Sequence, residues 1–294
     1  MVEEKNFSVR IFRVCNYSLL ILVTLSCVLP LWYTLCLSLS DKAAANGGMV
    51  GLWPVGLNFD AYGAIIKDGS FFRALGISVL RVSLGLMLGL GTTLLMAYPL
   101  SKNSREYAPR NVCMWILIIC FLFNGGLVPW YITMMSLGMR NTIWALVLSG
   151  GVQVFNVILM MNFFRNLPKA LEEAAIMDGA GPWRILFSLI IPVSLPVIAT
   201  VSLFIIVYHW NEFFQGLVLM SSSHNYPLQT YIQQLVVTIN MTNMSLEQFE
   251  KMSKLSNITL NAAKIFVALI PVLLIYPFLQ RYFVTGITLG SVKE

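Results

Sequence analysis

Charge is what this sequence has least of. Of its 294 residues only 11% are Asp, Glu, Lys or Arg, while 57% are hydrophobic, and the mean hydropathy is +0.76. A soluble domain carries about 25% charged residues, so a water-facing globule of this length is excluded. Six stretches hold no charged residue at all: 14–40, 82–101, 111–139, 141–164, 185–211 and 265–280. A helix needs roughly 20 apolar residues to cross a bilayer core. Five of the stretches reach that length outright, and Lys264 and Arg281 can snorkel at the ends of the sixth. Strands of a membrane barrel would alternate over about 10 residues, which these runs do not.

Other absences narrow the chemistry. There is no GxxxxGKS/T, no HExxH and no GxSxG, and only two histidines, His209 and His224. ATP binding through a P-loop and hydrolytic catalysis are therefore not expected, and the chain reads as a non-enzyme. No charge-free run holds a carboxylate, which an ion-coupled carrier usually keeps near the bilayer midplane. Near membrane depth only Arg81, His209 and Glu212 ionise. Arg81 reads as a snorkelling residue at the outer end of the second span, and Glu212 and His209 as boundary residues. The five cysteines, Cys15, Cys27, Cys36, Cys113 and Cys120, lie in apolar sequence without a CxxC, so neither a disulfide framework nor a metal site is expected.

What is present is an all-α membrane protein of six expected helices, at about 14–39, 74–100, 111–136, 141–164, 184–211 and 260–284, in a single domain over 1–294. With the N-terminus inside, eleven Lys and Arg fall on the inner side and seven on the outer, although the inner segments are shorter in total. The positive-inside rule then puts both termini in the cytoplasm. The first run is too long for a signal-peptide core and reads as a retained anchor. The net charge of +6 expresses this topology, not nucleic-acid binding. Pro30, Pro99, Pro129, Pro192, Pro196, Pro271 and Pro277 fall within the expected spans. So many breaks suit a bundle around a path better than a lipid-facing anchor. Gly85 and Gly89 form a GxxxG and predict close helix packing without naming a partner.

Three segments lie outside the spans: outer loops 41–73 and 212–264, and an inner loop 165–184. In the inner loop Pro168 suits a first turn, Lys169 to Met177 are mostly strong helix formers, Gly179 suits a left-handed cap, and Pro182 suits the first turn of the next helix. A short helix of about 10 residues follows. Its small side chains would admit a partner close to the backbone, and Glu173 would meet a cation there. An amphipathic helix lying on lipid would present a basic face, and this one is acidic.

Glu173-Ala174-Ala175, then Gly179, Leu189 and Ile191-Pro192 resemble the EAA loop of ABC-importer permeases, EAA-x3-G-x9-I-x-LP, with two apolar exchanges. Asp178-Gly179-Ala180 is similar to carbohydrate-uptake permeases of the maltose type, and the chain resembles their shorter permease. Leu137-Gly138 with Asn141-Thr142, Trp210-Asn211-Glu212-Phe213 and Arg281 to Gly290 resemble the same family. Phe123 to Pro129 is similar to the branch that pairs with lipoprotein receptors for complex oligosaccharides.

The resemblance implies a type I importer permease fold and a multi-pass protein of the bacterial cytoplasmic membrane. It implies three kinds of partner: a second homologous permease, two ATPase subunits holding ATP and Mg, and an extracellular solute-binding lipoprotein. The chain itself would hold no cofactor or metal. Glu173, Ala174, Ala175, Asp178 and Gly179 would couple to the ATPase, and Glu172→Ala, next to them but about 100° around the helix, is expected to be mild.

For the substrate path, Trp130, Tyr131, Tyr208 and Trp210 are candidates to stack on sugar rings, and Asn124, Gln153 and Asn156 to bond hydroxyls. The alternative for these residues is interfacial anchoring and interhelical contact. Tyr226, Tyr231, Gln233 and Gln234 in the long outer loop are candidates for the binding protein. The C-terminal segment from Gly286 to Glu294 is expected to reach the ATPases, and its Gly286 and Gly290 permit an irregular backbone. The rival reading is an ion-coupled secondary transporter or channel subunit, against which the missing midplane carboxylates weigh.

Overall fold

A computed structural model describes residues 7–123, 125–237 and 258–291, with side chains over 9–123, 125–235 and 258–277. Every regular element among these residues is helical. The helices are α1 (Phe7–Ser38), α2 (Lys42–Asn46), α3 (Asp60–Lys67), α4 (Gly69–Ser101), α5 (Arg110–Leu122), α6 (Leu127–Ser136), α7 (Ile143–Leu148), α8 (Val154–Arg165), α9 (Lys169–Met177), α10 (Pro182–Ile185), α11 (Ile191–Val193), α12 (Leu195–Asn211), α13 (Phe214–Leu219), α14 (Leu228–Val237) and α15 (Ile258–Ser291). A π-helical turn, Leu186–Ile190, joins α10 to α11.

Three helices are long and apolar enough to cross a membrane unbroken, over Val9–Ser38, Gly69–Ser101 and Ile258–Pro277. These overlap the first, second and sixth expected runs. The third is not one rod, because α5 and α6 meet at 115°. Gly126 holds φ +83° at that junction, a conformation closed to most side chains. The fourth divides at Ser149-Gly150-Gly151 into α7 and α8. The fifth bends by 85° between Pro182–Val193 and α12. There the π turn and Pro192 interrupt the ladder, and Ser194 N–H is shared between the carbonyls of Ile190 (3.0 Å) and Ile191 (3.1 Å). A charge-free run measures apolar composition and is blind to direction, so the breaks do not show in it. At the C-terminal end α15 stays helical through Gly286 and Gly290 to Ser291.

The chain forms two compact units, Met1–Gly69 with Gln234–Leu269, and Ser70–Gln233 with Ile270–Glu294. In the first, Asp41 caps α2, Trp32 Nε1 donates to the Leu52 carbonyl at 2.8 Å, and the Trp32 and Trp53 rings meet edge to face at 6.2 Å. Lys264 does not snorkel. It is 4% exposed, and its Nζ donates to Asp68 Oδ2 at 2.6 Å. An ammonium so buried needs a carboxylate partner, and Asp68 is seated by the end of α3.

The second unit is organised on α4. Its buried residues, Ala74, Ser78, Arg81, Gly85, Gly89, Thr93, Ala97 and Leu100, recur every three or four positions along one face. Most are small, which lets helices approach closely where lipid supplies no hydrophobic drive. Gly85 and Gly89 pack within the chain, against α12 running antiparallel. A Cβ on Gly85 would come within 2.4 Å of the His209 ring, and one on Gly89 within 3.4 Å of Ile205 Cδ1. A second core lies toward the inner loop, where Ala97, Leu117, Val157, Met160, Leu186, Val201 and Ile205 meet from α4, α5, α8, the π turn and α12.

Candidate functional site

The inner loop forms as its residues dictate. Pro168 precedes α9, and Gly179 ends it at φ +75°. Ala180 N–H donates to the Ala175 carbonyl and Gly179 N–H to that of Ile176, both at 2.9 Å, the reciprocal pair of a left-handed helix cap. Pro182 then opens α10. Ala175 and Ala180 pack onto the inner core, so of the two EAA alanines only Ala174 is exposed. Asp178 and Gly179 are exposed. So are Ile176 and Met177, together with Trp183 and Phe187, whose rings stack at 6.2 Å.

The two glutamates of α9 have opposite surroundings. Glu173 is exposed and makes no hydrogen bond among the described residues. Glu172 Oε1 accepts from Tyr98 Oη at 3.0 Å, in the last turn of α4, and from Lys102 Nζ, just past the end of that helix. Lys102 Nζ also lies 4.4 Å from the Tyr98 ring centroid. Glu172 is therefore engaged within its own chain, whereas Glu173 is not. Both carboxylates border a concavity of about 430 Å³ with Lys102, Arg165 and Lys169.

A second polar assembly sits where α12 ends. Arg81 is wholly buried and not a snorkelling residue. Its Nη1 donates to the Glu212 carbonyl at 2.7 Å, and its Nη2 donates to Glu212 Oε2 at 3.3 Å and to Gln215 Oε1. Gln215 Nε2 donates in turn to Tyr208 Oη at 3.2 Å. Glu212 Oε1 accepts the Phe214 N–H at 2.9 Å and so starts α13. The sequence held a pointer to this burial. Arg81, Gly85 and Gly89 recur at intervals of four, which puts the arginine on the close-packed face.

Glu212 and Gln215 border an open concavity of about 790 Å³ with Phe121, Phe123, Trp130 and Phe214. Among the expected path residues, Trp130 lines it and Tyr208 holds Gln215 beside it. Tyr131 packs with Trp130 on a small core of Ala145, Leu146, Leu219 and Met220. Gln153 and Asn156 face each other, with Asn156 Nδ2 donating to Gln153 Oε1 at 2.7 Å. Trp210 and Asn156 are buried and offer no surface to a sugar in this conformation. Asn124 lies outside the described residues.

The outer segment after residue 212 is mostly helical as far as Val237. Tyr226 packs on the same small core, and Tyr231 meets Phe71 edge to face at 6.5 Å, so both tyrosines are engaged internally. Gln233 and Gln234 are half-buried, and the stretch 240–256 lies outside the described residues. Asn141 adopts φ +60° and its Oδ1 accepts from Asn225 Nδ2 at 3.0 Å, while Thr142 caps α7. These contacts explain the Asn141-Thr142 pair structurally.

Residues 108–289 match the family model described as binding-protein-dependent transport system inner membrane component. The chain is 34% identical over 284 residues to the polygalacturonan/rhamnogalacturonan transport system permease protein YtcP of Bacillus subtilis, covering 97% of this chain and 99% of that one. It is 26% identical over 290 residues to the diacetylchitobiose uptake system permease protein NgcG of Streptomyces coelicolor, covering 97% and 90%. Among solved structures it is similar to a chain of a bacterial ABC transporter involved in the import of the acidic polysaccharide alginate, with TM-score 0.85, 31% identity, and coverage of 96% and 100%.

Proposed function

We propose that this chain, which belongs to the family of binding-protein-dependent transport system inner membrane components, is one of two permeases that form the path of an ATP-driven sugar importer. It is a transport subunit and not an enzyme. The observation that carries the reading is α9, whose Glu173 is turned outward beside an inward Glu172 and whose end is closed by Gly179 at φ +75°. A carboxylate, Ala174 and an apolar pair, Ile176 and Met177, are thereby offered together to a neighbour. That neighbour would be an ATPase subunit, which supplies ATP and Mg. Five spans if each bent pair counts as one, and a sixth if α7 and α8 together make another, with both termini cytoplasmic would place this loop on the cytoplasmic side of the bacterial membrane, in reach of the ATPase.

Alternating access is the mechanism that this family reading implies. Closure of two ATPases on nucleotide draws the coupling helices of the two permeases together and turns the path outward. A substrate shifts the balance only by its different affinity for the two states. A solute-binding lipoprotein delivers that substrate at the outer face, with Gln233, Gln234 and the 240–256 stretch as its candidate contact.

Oligomers of acidic polysaccharides are the first substrates to test, because two similar proteins are named for polygalacturonan/rhamnogalacturonan and alginate. The described lining of the outer concavity has aromatic rings and no Lys or Arg, which favours neutral sugar segments, so a neutral maltooligosaccharide belongs in the same panel. The test is purification through a tag on this chain. An ATPase subunit should co-purify with wild type and be lost with Glu173→Ala. Retention in that variant would remove Glu173 from the docking role.

A further inference from the structure

We propose that Glu172 is a positioning residue, tying α9 to the inner end of α4 through Tyr98 and Lys102 so that movement of α9 is carried into α4. The inference rests on α9 being the ATPase-docking helix, and it adds the path by which a push on that helix enters the membrane bundle.

The geometry is specific. Tyr98 and Lys102 stand four residues apart and so share one side of the chain. A single oxygen, Glu172 Oε1, accepts from both. The ammonium sits against the tyrosine ring, so the three side chains hold one another in place. Side-chain exposure of 16% for Lys102 and 27% for Glu172 leaves the pair only partly screened by water. Glu172 also lies in the first turn of α9, where a carboxylate is favoured by the helix dipole.

The far side of the link is equally defined. From Tyr98 back to Arg81, α4 runs about 25 Å. Over that length it buries Gly85, Gly89, Thr93 and Ala97 against its neighbours and ends on the guanidinium that holds Glu212. A continuous helix therefore has the inner loop bound at one end and the outer polar assembly bound at the other. Glu173, one residue on, is outside this link, so docking and transmission fall to different carboxylates.

The test uses the complex purified through a tag on this chain, its five cysteines replaced by alanine. Spin labels go on Leu95→Cys and, on α9 away from the residues offered to the ATPase, Ala170→Cys, both exposed positions. The label-to-label distance distribution is narrow if the tether holds, and broadens in Glu172→Gln and in Tyr98→Phe. The ATPase subunit stays bound in both variants. Uptake of a labelled oligogalacturonide per ATP hydrolysed falls roughly three- to tenfold. The double variant is no worse than Glu172→Gln alone, and the exchange Glu172→Lys with Lys102→Glu recovers part of the loss.

An unchanged distribution in both single variants overturns the tether. So does loss of the ATPase from Glu172→Gln, which would make that carboxylate a docking group. Tyr98→Phe removes one oxygen and decides the matter by itself if Glu172→Gln does not insert. Failure of the docking reading shows separately, as ATPase retained in Glu173→Ala, and leaves the distance measurement intact.

Discussion

Arg81 Nη1 donates to the backbone carbonyl of Glu212 at 2.7 Å across 131 residues of sequence, from a side chain with no exposed surface. The same guanidinium pairs with the Glu212 carboxylate, whose other oxygen starts α13. One ion pair therefore sets both the contact of α4 with the end of α12 and the point where the chain turns into the outer segment.

Removing one partner of a buried ion pair strands the other. Glu212→Ala is expected to destabilise the chain by about 3–5 kcal/mol, and Gln215→Ala, which removes a neutral acceptor, by less. Replacing both charges, Arg81→Met with Glu212→Gln, should recover part of the loss. Thermal melting of the detergent-solubilised protein, followed by fluorescence size exclusion, checks the order. Equal losses for Glu212→Ala and Gln215→Ala would contradict it.

Gly85 is a notch for the His209 ring. A methyl group there would sit 2.4 Å from ring atoms, while at Gly89 it would meet Ile205 Cδ1 at 3.4 Å. Overpacking of this kind costs about 1–3 kcal/mol. Gly85→Ala should therefore lower the melting temperature clearly and Gly89→Ala little, and His209→Ala should restore Gly85→Ala. A Gly85→Ala protein as stable as wild type would refute the notch.

Gly179 is constrained by its backbone and not by space. It has φ +75° and nothing within 4 Å of where a Cβ would stand. An L-residue in this conformation costs about 1–2 kcal/mol, and asparagine tolerates it best. Uptake and ATPase retention should follow the order Gly, Asn, Ala, Leu at this position. Leucine performing as well as asparagine would show that strain is not the cause.

The outward Glu173 should be sensitive to charge and to length. Glu173→Gln and Glu173→Asp are both expected to weaken ATPase retention in pull-downs, with the membrane level of the chain unchanged. High salt during purification should mimic the loss, because exposed charge pairs are screened. A salt-independent complex would point to the apolar neighbours Ile176 and Met177 as the anchor.

Local chemistry made much of this protein legible in its residues. Charge-free runs mark apolar helices because burying an unpaired charge in hydrocarbon is costly, whatever the fold. The inner loop was readable almost to the residue, since Pro168, Gly179 and Pro182 act on the backbone beside them. The EAA spacing resembles that of ABC-importer permeases, and the family match agrees with it. The departures all involve partners remote in sequence or changes of direction. Arg81 and Lys264 looked like snorkelling cations until the carboxylates of Glu212 and Asp68 were brought to them. Glu172 and Glu173 are the same residue type on the same helix, and only the position of Tyr98 and Lys102, seventy or more positions earlier, separates their surroundings. Hydropathy recorded the third, fourth and fifth spans as lengths, whereas Gly126, the Gly150-Gly151 pair and the π turn before Pro192 bend them. Backbone rules acting over a few residues are written in the sequence. Which buried charge meets which, and which carboxylate is left for a neighbour, is decided when helices pack and each ion must find a partner out of water.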